Sequence, residues 1–220
     1  MLNTATLEAN SKPELRQILE ELYRGRALQP YKSGQPIRLL PDEVLIVCRG
    51  VVQLGTLYDS GDEALLGLAC PSMPFGLPLS LIRPYQAAAL TDVDLMRLTM
   101  AEIEQSPMLA QSIFRHLTRR LQQTEAVLAM VGYRRVEDRL RHLLLLLKQE
   151  IGQPATANGT RLGIRLTHQQ LANAIGTTRV TVTRLLSQLQ EEGWLTVDST
   201  RHIVLPHQMG RTNGAISSGH

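Results

Sequence analysis

The segment that most constrains this chain is LTHQQLANAIGTTRVTVTRLLSQLQEEGWLTV, residues 166–197. Thr167 suits the N-cap of a short helix whose Leu171, Ala174 and Ile175 face inward. Gly176 breaks that helix, and a tight turn between two helices commonly needs a residue without a Cβ. Thr178 caps a second helix with Val182, Leu185, Leu186 and Leu189 as its apolar stripe, and Gly193 ends it. Trp194–Val197 and His202–Leu205 flank the polar turn DSTR, which predicts a two-stranded wing. Helix, glycine turn, helix and hairpin in this order make a winged helix-turn-helix.

The second helix of such a unit is shaped to enter the major groove of double-stranded DNA. Arg179 lies in its first turn, and Thr181, Thr183 and Arg184 share its outward face. Arginine matches guanine O6 and N7 with two hydrogen bonds, and threonine methyls meet thymine. Either arginine can instead hold a phosphate. Thr167, Gln169 and Thr178 complete the DNA-facing set, within reach of the backbone. Charge agrees: residues 133–207 hold 10 Lys/Arg and 6 Asp/Glu, a net of +4, whereas residues 1–132 hold 12 and 14, a net of −2. A +4 unit is also what an ordinary solvated surface carries.

Upstream the character differs. SKPELRQILEELYR, residues 11–24, reads as a short amphipathic helix with Ser11 as cap, Pro13 in its first turn and Leu15, Ile18, Leu19 and Leu22 on one face. From about residue 26 to 99, β-prone runs alternate with turn signals such as KSGQ, LPDE and DSGDE. The clearest strands are Val44–Cys48, Val51–Leu57, Ala64–Ala69 and Ala87–Leu98. They predict an antiparallel sandwich or roll.

PMLAQSIFRHLTRRLQQTEAVLAMV, residues 107–131, then reads as one long helix. Ile113, Leu117, Leu121, Thr124, Leu128 and Val131 form a narrow seam of coiled-coil type, which predicts a homodimer. Packing of that stripe on its own domain is the other reading. A further helix over 134–150 presents Val136, Leu140, Leu143, Leu144 and Leu147, and residues 151–160 read as a polar loop. The expected organisation is a sensor domain over 1–99, a dimerisation helix over 100–132, a DNA-binding domain over 133–207 and a tail over 208–220. The fold class is α+β. A dimer of such units reads a palindromic operator.

Several classes are disfavoured. Cys48 and Cys70 are the only cysteines and lack metal-ligand spacing, so buried thiols are expected. The start of the chain has no basic flank before an apolar run, and no stretch is long enough to span a bilayer, which predicts a cytoplasmic protein without a membrane partner. A cupin-like metalloenzyme is the remote enzymatic alternative. It would need His ligands inside the roll, and all six histidines lie outside residues 26–99. No catalytic, metal or required-cofactor residue is expected.

On YDSGDEALLGLACPSMPFG, RPYQAAALTDVDL, RRLQQTE and above all IGTTRVTVTRLL, the chain resembles the CRP/FNR family of bacterial regulators over about residues 26–207. Within it the chain is most similar to the cyanobacterial nitrogen regulators of NtcA type. The resemblance implies a cyclic-nucleotide-binding-like β-roll, a dimerisation helix and a winged helix that addresses promoters together with RNA polymerase. It also implies 2-oxoglutarate as effector, at Phe75, Gly76, Leu77, Pro78, Arg83, Arg120 and Glu125. Arginine forks suit a dicarboxylate, although Pro78 has no N–H to donate. A regulator controlled without a ligand, or through a partner protein, is the alternative.

Overall fold

The computed structural model describes residues 26–61, 63–155 and 159–206. The helix expected over 11–24 and the tail over 208–220 lie outside the described residues. The first unit is a roll of two antiparallel sheets. One has the order β1 (Gln29–Tyr31), β7 (Val93–Thr99), β2 (Glu43–Arg49), β5 (Pro74–Phe75); the other has the order β4 (Glu63–Ala69), β3 (Val52–Leu57), β6 (Gln86–Ala89). Leu45, Val47, Val52, Leu54, Leu68, Phe75 and Leu95 fill the space between them.

The other face of β2 and β7 is also covered. Val44, Ile46, Met96 and Leu98 pack on Ile103 of helix α1 (Met100–Gln105) and on Leu109 and Ile113 of helix α2 (Pro107–Val131). A strand buried on both faces has no polar positions to alternate with, which is why β2 reads as the unbroken run VLIVC. Thr99 and Ser106 cap the two helices, each accepting an orphan N–H from the first turn.

Helix α3 (Val136–Ile151) leads into the second unit. It is followed by β8 (Gly152–Ala155), β9 (Gly159–Leu162), α4 (His168–Ile175), α5 (Arg179–Glu191), β10 (Thr196–Val197) and β11 (Ile203–Pro206). Leu140, Leu143, Leu144 and Leu147 of α3 share a core with Leu171, Ile175, Val182, Leu185, Leu189, Leu195 and Leu205. Arg141 ties α3 to the end of α5, pairing with Glu137 at 2.8 Å and Glu192 at 2.6 Å while standing 5.0 Å from the Trp194 ring.

Two expectations are corrected. Ala87–Leu98 is not one strand but β6 and β7, which lie in different sheets. The chain turns at Thr91–Asp92, where Thr91 Oγ1 accepts the Val51 N–H and Asp92 accepts Lys32 Nζ and the Ser33 N–H. Residues 151–160 are not simply a loop: β8 and β9 pair there and extend the wing to a four-stranded sheet, β10-β11-β9-β8. β8 is an exposed edge strand carrying Pro154, so it shows neither alternation nor β-prone residues. No helix among the described residues is long and apolar enough to cross a membrane.

Candidate nucleic-acid interface and ligand cavity

The helix-turn-helix is fixed at each junction by its own side chains. At the start of α4, Thr167 Oγ1 accepts the Gln170 N–H at 3.1 Å while Gln170 Oε1 accepts the Thr167 N–H at 2.8 Å. Gly176 ends α4 at φ 63°, a left-handed conformation that a Cβ would strain. Thr178 Oγ1 then accepts the Thr181 N–H at 3.2 Å and starts α5. With Val182, Leu185, Leu186 and Leu189 buried, the opposite face of α5 carries exposed Arg179, Val180, Thr183, Arg184 and Ser187.

Thr181 falls at the edge of that face, half-buried, with its hydroxyl 3.0 Å from that of Thr178. Thr183 is exposed, but its hydroxyl donates to the Arg179 carbonyl at 2.9 Å and lies 2.7 Å from His168 Nδ1. Gln169 is exposed and donates to Asn173 Oδ1 at 2.6 Å. Val180, 79% exposed, and His168 were absent from the expected set. The signal for Val180 was available: it lies across the helix from the apolar stripe. At the wing, Arg161 donates to Asp198 at 2.7 Å. The His202 N–H, then Arg161, hold the Asp198 carboxyl far below the usual carboxylate range.

The exposed apolar stripe on α2 starts at Phe114, one residue after the Ile113 that opens the expected seam. Ile113 is buried in its own roll, and Leu117 packs partly against the same cluster. Phe114, Leu121, Leu128 and Val131 are 70%, 60%, 72% and 57% exposed, and Thr124 is exposed with its hydroxyl donating to the Arg120 carbonyl. Residues 114, 117, 121, 124, 128 and 131 keep a strict 3–4 spacing, whereas Ile113, four residues before Leu117, drifts off that stripe.

In the roll, a cavity of about 470 Å³ is lined by Gln53, Thr56, Glu63, Leu77, Tyr85 and Ala87, among others. Of the residues implied to hold an effector, Leu77 lines it, in the short 3₁₀ turn Leu77–Leu79 that also contains Pro78. Phe75 is in the core between the sheets, directly before Gly76 and that turn. Arg120 of α2 does not line it, but donates at 3.4 Å to the hydroxyl of Tyr85, which does. Arg83 and Glu125 are exposed and do not line the cavity. Arg83 donates to the Ser80 and Ile82 carbonyls at 2.9 and 2.7 Å, fastening its own loop.

Residues 138–209 match the Crp-like helix-turn-helix domain. The chain is 35% identical over 190 residues to the global nitrogen regulator of Nostoc sp., covering 82% of each. It is 31% identical over 175 residues to the cyclic AMP receptor protein of Thermus thermophilus, covering 74% of this chain and 76% of that one. Among solved structures, a CRP/FNR-family transcriptional regulator of Thermus thermophilus superposes with a TM-score of 0.66 at 26% identity, over 81% of this chain and 93% of the other. The c-di-GMP-responsive regulator CLP of Xanthomonas campestris shares the fold at a TM-score of 0.70 and 20% identity, over 88% of this chain and 100% of the other. The chain belongs to the CRP/FNR family of DNA-binding transcription regulators.

Proposed function

We propose that this protein is a homodimeric regulator of nitrogen and carbon status whose hold on a palindromic operator is gated by a small anionic metabolite, 2-oxoglutarate being favoured. The observation that carries this reading is the contact of Arg120 with Tyr85. Tyr85 lines the roll's cavity, and Arg120 sits on the helix that bears the exposed 114–131 stripe. Whatever fills the cavity therefore acts on the element that pairs the two protomers. Pairing along α2 sets the two α5 helices about one turn of DNA apart, roughly 34 Å. Arg179 and Arg184 then read bases or clamp phosphates, Val180 offers methyls to thymine, and Thr167, Gln169 and Thr178 meet the backbone. The nitrogen link rests on the relatives named global nitrogen regulators. RNA polymerase is the partner protein such a regulator addresses, in the cytoplasm.

A second reading is control without a small ligand. Glu63 in the cavity wall disfavours a dicarboxylate, and Arg83 is engaged by its own loop. Calorimetry separates the two. Under the first reading, 2-oxoglutarate binds the dimer, operator DNA tightens that binding roughly 5- to 150-fold, and the ligand tightens DNA binding by the same factor. Arg120→Ala should remove that coupling. No heat and no change in DNA affinity at millimolar ligand would leave the second reading standing.

A further inference from the structure

We propose that His168 is a proton-gated phosphate contact, so that operator binding takes up a proton at this ring and strengthens as pH falls. The inference rests on the reading that α5 enters the major groove. It starts from a count of protons at one hydroxyl. Thr183 Oγ1 has a single hydrogen and points it at the Arg179 carbonyl, 2.9 Å away, which can only accept. His168 Nδ1 lies 2.7 Å from the same oxygen. Both contacts are satisfied together only if Nδ1 carries the proton and donates to Thr183. In the neutral ring that leaves Nε2 as a bare lone pair. No hydrogen bond joins it to any described residue.

The placement gives that lone pair a consequence. His168 is the first residue of α4, and the hydroxyl of the reading helix fixes its ring. The first helix of a helix-turn-helix crosses the DNA backbone when the second is in the groove. Its N-terminus, with free N–H groups and the positive end of the helix dipole, favours a phosphate there. A neutral His168 held in this tautomer would set an acceptor against phosphate oxygens, which are acceptors themselves. Protonation at Nε2 turns the same atom into a charged donor, the stronger kind of hydrogen bond. Histidine changes charge in the physiological range, so the contact is gated by one proton.

The surroundings supply no other anion to charge the ring. On α5 its contact is Thr183, whose face also carries the exposed cations Arg179 and Arg184. On β4, Glu63 is engaged by Asn173 Nδ2 at 3.3 Å, more than a turn along α4 from His168. On α3, Glu137 pairs with Arg141. Among the described residues no carboxylate bonds to His168, so the anion that stabilises its charged form arrives with the DNA. Thr183 is then a positioning residue.

Operator affinity should be measured by fluorescence anisotropy from about pH 5.5 to 8.5 at fixed ionic strength, for the wild type, His168→Asn and His168→Arg. Wild-type affinity is expected to fall with rising pH, by up to about tenfold per pH unit in the one-proton limit. His168→Asn keeps a donor towards Thr183 but cannot titrate, so it should bind weakly and lose the extra slope. His168→Arg should bind tightly across the range. Equal slopes for the wild type and His168→Asn would overturn the proposal. So would nitrogen NMR of the free protein showing the Nε2–H tautomer in the neutral ring. If none of the three binds an operator at any pH, the reading of α5 fails first, and the proposal with it.

Discussion

At the scale of single residues, the sharpest division lies on α5. Arg184 is exposed and forms no hydrogen bond or ion pair with any described residue, so its fork is available to a base edge. Arg184→Ala is expected to cost about 1–3 kcal/mol of operator affinity and to relax preference at one position per half-site. Binding to specific and random duplexes should be compared; an equal loss on both would make Arg184 a phosphate contact. The threonines differ in what remains free. The Thr181 and Thr183 hydroxyls are committed within the motif, leaving mainly their methyls to the groove. Residue type and spacing cannot show where a hydroxyl's one proton points. Cys70 is likewise settled by its surroundings: burial first, then Glu150, pushes its thiol up to about 12, so it is a packed side chain without thiolate character.

At the scale of elements, α2 carries apolar residues on two faces, one covered and one exposed. One face carries Leu109 and Ile113 into the roll, and Gln123 Oε1 accepts the Leu68 N–H on β4 at 2.7 Å. That bond falls at an irregularity in the pairing of β3 with β4, beside Gly67, where a Cβ would stand 2.6 Å from Gln123 Oε1 at φ +153°. Glycine is called for by that backbone conformation, and a Cβ would push the Gln123 amide off its bond to Leu68. The opposite face leaves Phe114, Leu121 and Leu128 bare. Leu121→Glu with Leu128→Glu should leave the protomer folded, because neither side chain is in its core. The pair should weaken dimerisation by about 3 kcal/mol or more, from the burial forgone. Light scattering should then show monomers, and operator binding should collapse with them. A dimer that survives both charges would put the interface elsewhere.

At the scale of the whole molecule, the DNA-binding unit is tied back to the roll and α2. Arg119 of α2 pairs with Glu150 at the end of α3 at 2.9 Å, and the Glu150 side chain is only 4% exposed. Asn173 of α4 reaches Glu63 on β4, beside a cleft of about 780 Å³ that also touches Leu128 and Val131. Arg119→Ala leaves a buried carboxylate with its partner gone and should cost roughly 1–3 kcal/mol in thermal or urea unfolding. Arg119→Met with Glu150→Leu should recover most of that loss, because the apolar pair removes the stranded charge. If the double variant is as unstable as the single one, the site depends on something other than this ion pair.

The winged helix-turn-helix, the long α2 and the antiparallel roll are legible in the chain alone. Each is written locally: caps at Thr167 and Thr178, the break at Gly176, a 3–4 apolar repeat, and turn residues between β-prone runs. Local signals act over a few residues, and these agree with one another. Which face of an element meets which neighbour is instead a property of the packed fold. Ile113 and Phe114 are adjacent apolar residues, and only the packed roll sends the first inward and leaves the second out. The edge strand β8 exists because β9 offers it a partner, not because its residues prefer extension. Arg83 and Arg120 look alike in the chain. Packing sends one to its own loop carbonyls and the other to Tyr85, because a long cationic side chain goes to whatever acceptor the fold brings within its reach.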